Sequence, residues 1–383
     1  MTAPPPKAPT AEPPSAYDPR IRTKVERSVF SELKTRRRGM QLPPGSHSPS
    51  LRNTLTAVDD GLGLLLDHYR RYGPVFTIRL VHQPIVWAIS PQATHEILVT
   101  EADAFSWRKS RFGDLWPLLG NSFFAIDGPY HHQTRRMLLP NFHAGAVEGT
   151  AQKVIDEVAC AADALTTSSY VDINHWVREL AMRVALRVLA DIPEDHADER
   201  PFAHEFERAL SFFGLPLPVQ MLRGPGTPYA DMQMARAALD RMILAEVERR
   251  RVAGELGGGV LGMLLSCTDE AGEPLPGDTL RDHLATVLFA GHDTTTATMS
   301  FLVHELGRTP HARDELLAEI DDVLGGDPPR PEHLDGKALP VLERTINETL
   351  RRFPPAWHGP RHTVRDVELD GVLVPKGTDV HYS

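Results

Sequence analysis

An acidic and a hydroxyl side chain stand next to each other, as Asp293 and Thr294, in the middle of the apolar stretch 285–307. The stretch has the length and periodicity of one long helix. Gly291 nevertheless lies inside it, and an interior glycine costs about 1 kcal/mol relative to alanine. A carboxyl group beside a hydroxyl in an apolar environment is suited to proton transfer. The alternative is a core helix that is merely kinked.

One face of this helix carries short side chains. Ala290, Thr294 and Ala297 follow the i, i+4, i+7 spacing that places residues on the same side of a helix. Such a flat stripe can lie against a broad planar ligand. Threonine hydroxyls that bond back to carbonyls one turn earlier bend helices. We therefore expect a bend beside Asp293 that opens a polar notch in the apolar wall.

Two further pairs of side chains gain meaning only together with this helix. Glu348 and Arg351 lie one helical turn apart in ETLRRFPP, and such a pair alone is usually a surface ion pair worth under about 1 kcal/mol. His131 and Arg135 share one side of a helix that begins after a Gly-Pro pair. Alone, that pattern is typical of a solvated face.

The elements that must position these residues are mostly helical. Nearly every periodic segment between about 91 and 353 predicts a helix. The segments 75–80 and 85–90 alternate and predict a hairpin, and the Asp-Gly pair inside 367–374 predicts a second one. Residues 378–383 begin a further strand. The expected fold class is therefore mainly α with a small β-sheet region.

Composition excludes several classes of protein. The net charge of -10 provides no basic surface for nucleic acid. The two cysteines, Cys160 and Cys267, lack metal-site or disulfide spacing, which suits a reducing cytoplasm. Residues 1–40 begin with a Pro- and Ala-rich segment that has neither the apolar core of a signal peptide nor a transmembrane anchor. We expect a disordered tail over 1–40 and a single domain over 41–383.

Two catalytic motifs are matched only superficially. GGGVLG at 257–262 has the Gly-x-Gly-x-x-Gly spacing, but it follows a helical segment rather than a strand. It therefore predicts a flexible loop and not a dinucleotide site. The His-Glu pairs that begin at His95, His204 and His304 lack the second histidine of zinc proteases.

Together and in this order, the segments resemble the cytochrome P-450 family of haem-thiolate monooxygenases, from about residue 41 to the last residue. AGHDTT at 290–295 is similar to the oxygen-activating helix of the family, and ETLR at 348–351 to its Glu-x-x-Arg helix. HHQTR at 131–135 is similar to its propionate-binding helix. GPRHT at 359–363 falls where the family places another propionate-binding arginine. The resemblance implies the cytochrome P-450 fold.

The resemblance also implies haem b, iron protoporphyrin IX, as the cofactor. It places Ala290 and Gly291 where they give clearance over the haem ring. Asp293 and Thr294 become the catalytic pair, which delivers protons during oxygen activation. A dry pocket needs such a placed donor, and this need explains the local weakness of the central helix.

Cofactor-binding and structural roles are implied for the remaining pairs. The resemblance makes His131, Arg135 and Arg361 ligands of the haem propionates, because guanidinium groups match carboxylates well. It makes Glu348 and Arg351 a buried pair that locks the helix to a downstream segment.

The implied reaction inserts one oxygen atom of O2 into an apolar small molecule, with electrons from NAD(P)H through a ferredoxin or a flavoprotein reductase. Candidate substrate-pocket residues precede the propionate-binding helix, lie in the lid region of the family, or lie on the central helix. They are Phe105, Trp107, Phe123, Phe124, Phe212, Phe213 and Ala297. Aromatic residues at such positions are also common in a plain core.

One part of the family pattern is missing. The axial ligand of the family is a cysteine in a Phe-x-x-Gly-x-x-x-Cys-x-Gly loop, and this sequence contains no such loop. We expect the axial cysteine beyond Ser383, with the fold incomplete at the C-terminus, and no thiolate-ligated haem from residues 1–383 alone. We expect Cys160 to lie among apolar neighbours, where its thiolate is disfavoured. The alternative to the enzyme is a decayed, non-catalytic binding protein that keeps the fold.

Overall fold

The structure is a computed structural model, and it describes residues 7–11, 41–81, 83–143, 149–165, 170–192, 199–268, 272–334 and 336–383. The described chain forms two compact units. One, called the sheet unit, contains residues 13–131 and 357–383, and the other, called the helical unit, contains residues 1–12 and 132–356.

The helices follow one another along the chain with short joints. Between the N-terminus and residue 165 they are α1 Leu51–Asp59, α2 Gly61–Tyr72, α3 Pro91–His95, α4 Trp116–Leu119, α5 Gly128–Leu138 and α6 Ala151–Asp163. Further along they are α7 Ile173–Leu189, α8 Glu199–Ser211, α9 Leu217–Gln220, α10 Pro228–Ala253, α11 Gly259–Ser266, α12 Gly277–Arg308, α13 Pro310–Leu324 and α14 Pro340–Arg352. This content confirms the mainly α prediction.

The strands all belong to the sheet unit. They are β1 Val75–Arg79, β2 Pro84–Ala88, β3 Phe105–Ser106, β4 Gly359–Thr363, β5 Val367–Leu369, β6 Val372–Val374 and β7 Asp379–Tyr382. Five of them form one sheet in the order β1-β2-β7-β4-β3, in which only β2 and β7 pair in parallel. The strands β5 and β6 form a separate hairpin, whose turn residues Asp370 and Gly371 have φ of 47° and 76°. Both predicted hairpins are confirmed.

The five-stranded sheet has apolar residues on both faces. Along β1, Val75 belongs to one hydrophobic cluster, whereas Phe76 and Ile78 belong to another that includes Leu64 and Leu65 of α2. Successive side chains of a strand point to opposite faces, so this division is what a doubly covered sheet requires. The sheet is therefore a rigid support for β4 and β7, which carry polar residues described below.

The central helix of the helical unit is α12, and its existence confirms the prediction over 285–307. It spans 32 residues without interruption. The hydroxyls of Thr294, Thr296 and Thr298 donate to the carbonyls of Ala290, His292 and Thr294, four residues earlier in each case. The backbone stays α-helical through these residues, so the expected polar notch is not a break in the helix.

The first half of α12 buries an imidazole. The side chain of His283 is fully buried, and its two ring nitrogens have no hydrogen-bond partner among the described residues. Burial alone lowers the pKa of His283 from 6.5 to about 4. The folded state thus keeps this ring neutral at pH values where the unfolded chain protonates it.

This burial predicts a specific loss of stability in acid. The unfolded chain binds the proton near pH 6.5 and the folded chain near pH 4, so stability is full above about pH 6.5 and declines as the pH falls toward 4. At pH 5 the loss is about 2 kcal/mol. Urea unfolding at pH 7 and pH 5 measures it, and His283→Leu should remove this part of the pH dependence. Replacing the exposed His311 by glutamine is the matched control. An equal pH dependence in His283→Leu would contradict the assignment.

Two expectations about loops need correction. Most of the predicted tail, 1–6 and 12–40, lies outside the described residues, but 7–11 are not a free tail. The amide of Ala8 donates to Thr268 O at 3.0 Å, and the amide of Ala11 donates to Gln133 Oε1 at 2.8 Å. The glycine-rich stretch 257–262 is mostly the start of α11 rather than a flexible loop.

The glycines of that stretch serve packing. A Cβ on Gly257 would lie 2.5 Å from Nη1 of Arg250. Arg250 is buried and donates to the carbonyls of Ala190 and Asp191 at 2.9 Å each. The Asp191 carboxylate in turn accepts from the Gly258 amide at 2.7 Å. Tight packing of this arginine is why small residues are needed here.

Candidate functional site

The carboxylate of Asp293 on α12 is held by an arginine of α7. Nη1 of Arg178 lies 3.1 Å from Asp293 Oδ1, and both side chains are partly exposed. An ion pair in such a position is screened by solvent and holds its partners weakly. The pair therefore fixes a resting orientation of Asp293 while leaving the carboxylate accessible to water.

A buried histidine supports this arrangement from behind. His292 is fully buried, and its Nε2 donates to the carbonyl of Arg178 at 3.1 Å. A carbonyl can only accept, so the ring carries its proton on Nε2. Burial lowers the pKa of His292, with a smaller opposing effect from Asp293. The neutral ring thus anchors α12 to the α7 backbone at the residue before the acid.

The small-residue stripe of α12 is present as predicted by spacing. Thr294 is exposed, and Ala290 and Ala297 are half-buried. The Thr294 hydroxyl donates to Ala290 O at 2.6 Å, which leaves its oxygen able to accept a hydrogen bond. To pass on its own proton, the hydroxyl must rotate away from Ala290.

Gly291 does not share that stripe. A Cβ built on it would meet only Leu189 Cδ1 of α7, at 3.5 Å, which is an ordinary van der Waals contact. The expectation that Gly291 provides clearance for a ligand is therefore not supported by its direction, which is toward α7.

We accordingly predict that Gly291→Ala stabilises the protein by about 0.5–1 kcal/mol, because alanine is the better helix former and its methyl group has room. Urea unfolding measures the change. Gly262→Ala in α11 is the contrasting control, since its Cβ would lie 2.4 Å from Gly257 O and must destabilise. A loss of stability in Gly291→Ala would show that the glycine is required at this position.

In the sheet unit, β4 presents a buried cation. Arg361 is 3% exposed, and its guanidinium donates to Pro360 O at 2.9 Å and to the Tyr382 hydroxyl at 3.2 Å. Its Cζ lies 3.3 Å from the ring centroid of Trp107. Gly359 makes room for this group, because a Cβ there would overlap the Tyr382 ring. Sheet pairing of β4 with β7 and β3 thus builds an aromatic cradle around one arginine.

The charge of Arg361 is not neutralised by a contact with a carboxylate. Within the ranges that the structure describes, Arg361 forms no ion pair. Burial lowers its pKa, while Tyr382 and the more distant Asp127 oppose this effect. A buried guanidinium is costly unless an anion pairs with it. The donor set therefore fits a carboxylate-bearing ligand such as a haem propionate.

The other implied propionate ligands lie on α5, which passes from one unit to the other after His131. The imidazole of His131 stacks on Trp107 with the ring centroids 6.5 Å apart. Arg135 is exposed one turn further along the helix. The sheet unit by itself thus gathers His131 and Arg361 around Trp107.

Two of the candidate pocket aromatics are core residues, which corrects that expectation. Phe105 is buried in the hydrophobic cluster of the sheet with Val86 and Val380. Phe212 is buried and packs on Phe213 and on Tyr229, with ring centroids 5.3 and 5.8 Å apart. Strand pairing and helix contacts draw these rings inward.

The other candidate aromatics are partly accessible. Phe123 and Phe124 are half-buried and in mutual contact at 4.6 Å between ring centroids. Trp107 lies beneath Arg361, so it belongs with the cation rather than with an apolar pocket.

The Glu348–Arg351 pair forms, but the expectation that it is buried is wrong for the described residues. Two hydrogen bonds of 2.6 and 2.7 Å join the groups, and the side chains are 55% and 70% exposed. Both lie in the last turns of α14, on a side that no described element covers. The hydrogen bond from Arg351 lowers the pKa of Glu348.

Cys160 does not lie among apolar neighbours, as was expected. It is exposed on α6, and its Sγ accepts from Arg183 Nη2 at 3.7 Å. The helix instead turns Glu157 inward, where Arg187 and Arg183 bind it at 2.6 and 2.8 Å. Two arginines of α7 thus bury an acid and leave the thiol outside.

Cys267 behaves as a structural thiol. It is fully buried, and its Sγ donates to Met263 O at 3.3 Å. Burial raises the pKa of the thiol to about 11. A thiolate at this position is therefore strongly disfavoured.

Sequence reasoning missed two contacts of the site. Arg178, which holds Asp293, is 115 positions away in the chain and has no local signature. Trp107 was noticed, but as a pocket residue, because nothing in the sequence pairs it with Arg361. Both contacts arise from tertiary packing.

A long helix with an accessible acid–alcohol pair and a separate buried arginine suited to a carboxylate define a class: haem-dependent oxygen-activating enzymes. The family model of cytochrome P450 matches residues 43–383. The chain belongs to the cytochrome P450 family and is a haem monooxygenase that receives its electrons from a redox partner.

Individual relatives agree with this assignment. The chain is 30% identical to cyclooctat-9-en-7-ol 5-monooxygenase of Streptomyces melanosporofaciens, over 91% of this chain and 79% of that protein. It is 28% identical to cyclooctatin synthase of the same organism, over 81% and 68% of the two chains. Its fold is similar to that of retinoic acid-bound cyanobacterial CYP120A1, with a TM-score of 0.75, 24% identity, and coverage of 90% and 77%. In the described part of the chain, no helix has the length and apolarity needed to cross a membrane.

Proposed function

We propose that this enzyme hydroxylates an apolar alicyclic compound that carries few oxygen atoms. The relative named cyclooctat-9-en-7-ol 5-monooxygenase acts, by its name, on an unsaturated alcohol. The half-buried Phe123 and Phe124 offer apolar surface for such a molecule. Apolar contact removes water from substrate surface at roughly 25 cal/mol per Å², so binding is expected to weaken as polar groups are added.

The observation that carries the cofactor proposal is the buried Arg361 without a carboxylate partner among the described residues. We infer that Arg361, with His131 and Arg135, binds the propionates of haem b. When bound, the haem supplies the activation of dioxygen that no side chain can perform. The chain itself contributes a guanidinium held ready in a low-dielectric site, where charge-assisted hydrogen bonds are strongest.

Asp293 and Thr294 serve as the proton-delivery pair. Asp293 is accessible to water and is held by Arg178, so it can take protons from solvent and release them toward α12. Thr294 stands next along the helix with an oxygen free to accept and a proton that becomes available on rotation. Proton transfer by a positioned group of this kind typically contributes 10²- to 10⁴-fold in rate.

Electrons are proposed to come from NAD(P)H through a ferredoxin or a flavoprotein reductase. In support, the Gly-x-Gly-x-x-Gly match begins α11 and packs around Arg250, so it does not form a dinucleotide site. A cytoplasmic location is proposed from the low cysteine content, two residues in 383, which suits a reducing compartment.

The substrate class is tested by spectral titration of the haem-loaded enzyme. An alicyclic alkene or mono-alcohol should displace water from the haem and shift the Soret band, and a polyhydroxylated analogue with the same carbon skeleton should not. Stronger binding of the polyhydroxylated analogue would overturn the proposed substrate class.

A further inference from the structure

Trp107 contacts both residues of the sheet unit that are proposed to bind the propionates. The Arg361 guanidinium lies over the indole, with Cζ 3.3 Å from the ring centroid. The imidazole of His131 stacks on the same indole at 6.5 Å and 29°. Arg361 and His131 are 230 positions apart in sequence, and one aromatic side chain joins them.

The position of Trp107 is itself fixed by a carboxylate. Its backbone amide donates to Asp127 Oδ1 at 2.7 Å, and the hydroxyl of Ser106 donates to Asp127 Oδ2 at 2.5 Å. Asp127 directly precedes α5, the helix that carries His131. The end of β3 is therefore tied to the start of α5, and the indole cannot shift without moving this connection.

Contact with an aromatic face is a suitable way to hold an arginine that must bind something else. The cation is attracted to the face of the ring, while the N–H groups in the plane of the guanidinium stay available for hydrogen bonds. A carboxylate in place of Trp107 would occupy those N–H groups. Phe112 and Phe124 flank the indole at 5.2 and 6.3 Å, which excludes water from this contact.

We propose that Trp107 is a positioning residue for the haem: it holds Arg361 and His131 in the orientation that receives the propionates. The inference rests on the proposed cofactor site and assigns to Trp107 a role distinct from substrate binding. Trp107 acts through the two ligands and does not itself bind the carboxylates.

The test compares two cofactors, haem b and its dimethyl ester, which lacks propionate charge. Dissociation constants are measured for the wild type and for Trp107→Leu by transfer of the cofactor to a competing apoprotein. Trp107→Leu should weaken haem b by roughly five- to tenfold and leave the dimethyl ester unaffected. Trp107→Phe keeps an aromatic face and should restore most of the preference for haem b.

Trp116→Leu is the matched control, because Trp116 lies under a different arginine, Arg108, with Cζ 4.2 Å from its ring centroid. It should affect both cofactors alike or neither. Equal weakening of haem b and the dimethyl ester by Trp107→Leu, or no weakening of either, overturns the positioning role. Failure of the proposed cofactor site is recognised separately: Arg361→Ala would then show no preference for haem b lost relative to the ester.

Discussion

Thr294→Ala is expected to divert most of the reducing equivalents of the haem-loaded enzyme into hydrogen peroxide. Product formed per NAD(P)H consumed should fall by roughly tenfold or more, because a positioned proton donor contributes at least that much. Substrate affinity should stay unchanged, since the hydroxyl bonds to Ala290 O of its own helix. Parallel assays of product, hydrogen peroxide and NAD(P)H measure the ratio.

Thr298→Ala is the matched control for this prediction. The Thr298 hydroxyl makes the same type of bond, to Thr294 O at 2.9 Å, one turn further along α12. Loss of that bond perturbs the helix equally but removes no proposed proton donor. If Thr294→Ala and Thr298→Ala keep the same coupling as the wild type, Thr294 does not deliver protons.

Arg361→Ala is expected to weaken haem binding roughly 10- to 100-fold, because a hydrogen bond to a charged group contributes about 1.5–3 kcal/mol. The protein without haem should not lose stability, since the substitution removes a buried cation whose charge no described carboxylate contacts. The haem-to-protein ratio after purification and cofactor-transfer rates provide the measurement.

Arg365→Ala controls for the loss of positive charge near the same strand. Arg365 is exposed and pairs with Glu101 and Asp103 at 2.8 Å each. It should leave haem binding unchanged. Unaltered haem occupancy in Arg361→Ala would remove Arg361 from the cofactor site and return it to a structural role in the sheet.

Local patterns predicted the elements that depend on local physics. The alternation of 75–90 and the Asp-Gly pair in 367–374 specify hairpins, because register and turn geometry are set within a few residues. The central helix over 285–307 was likewise evident from its periodicity. Its threonine hydroxyls bond to carbonyls of the same helix, as expected for this residue type.

What the sequence could not provide is the choice of tertiary partners. Glu157 is buried although it is an acid, because Arg183 and Arg187 of α7 reach it. The same rotation of α6 exposes Cys160, which composition had placed in an apolar environment. Trp107 was assigned to a pocket for the same reason, since only the pairing of β3 with β4 brings it beneath Arg361.

The central claim is that this chain provides proton delivery and cofactor anchoring for insertion of one atom of dioxygen into an apolar substrate. Turnover under ¹⁸O2 tests it most directly, with the haem-loaded enzyme, an alicyclic substrate, NAD(P)H and a reductase. The account predicts a product in which the new hydroxyl oxygen comes from labelled dioxygen. A product whose new oxygen comes from unlabelled water would contradict it.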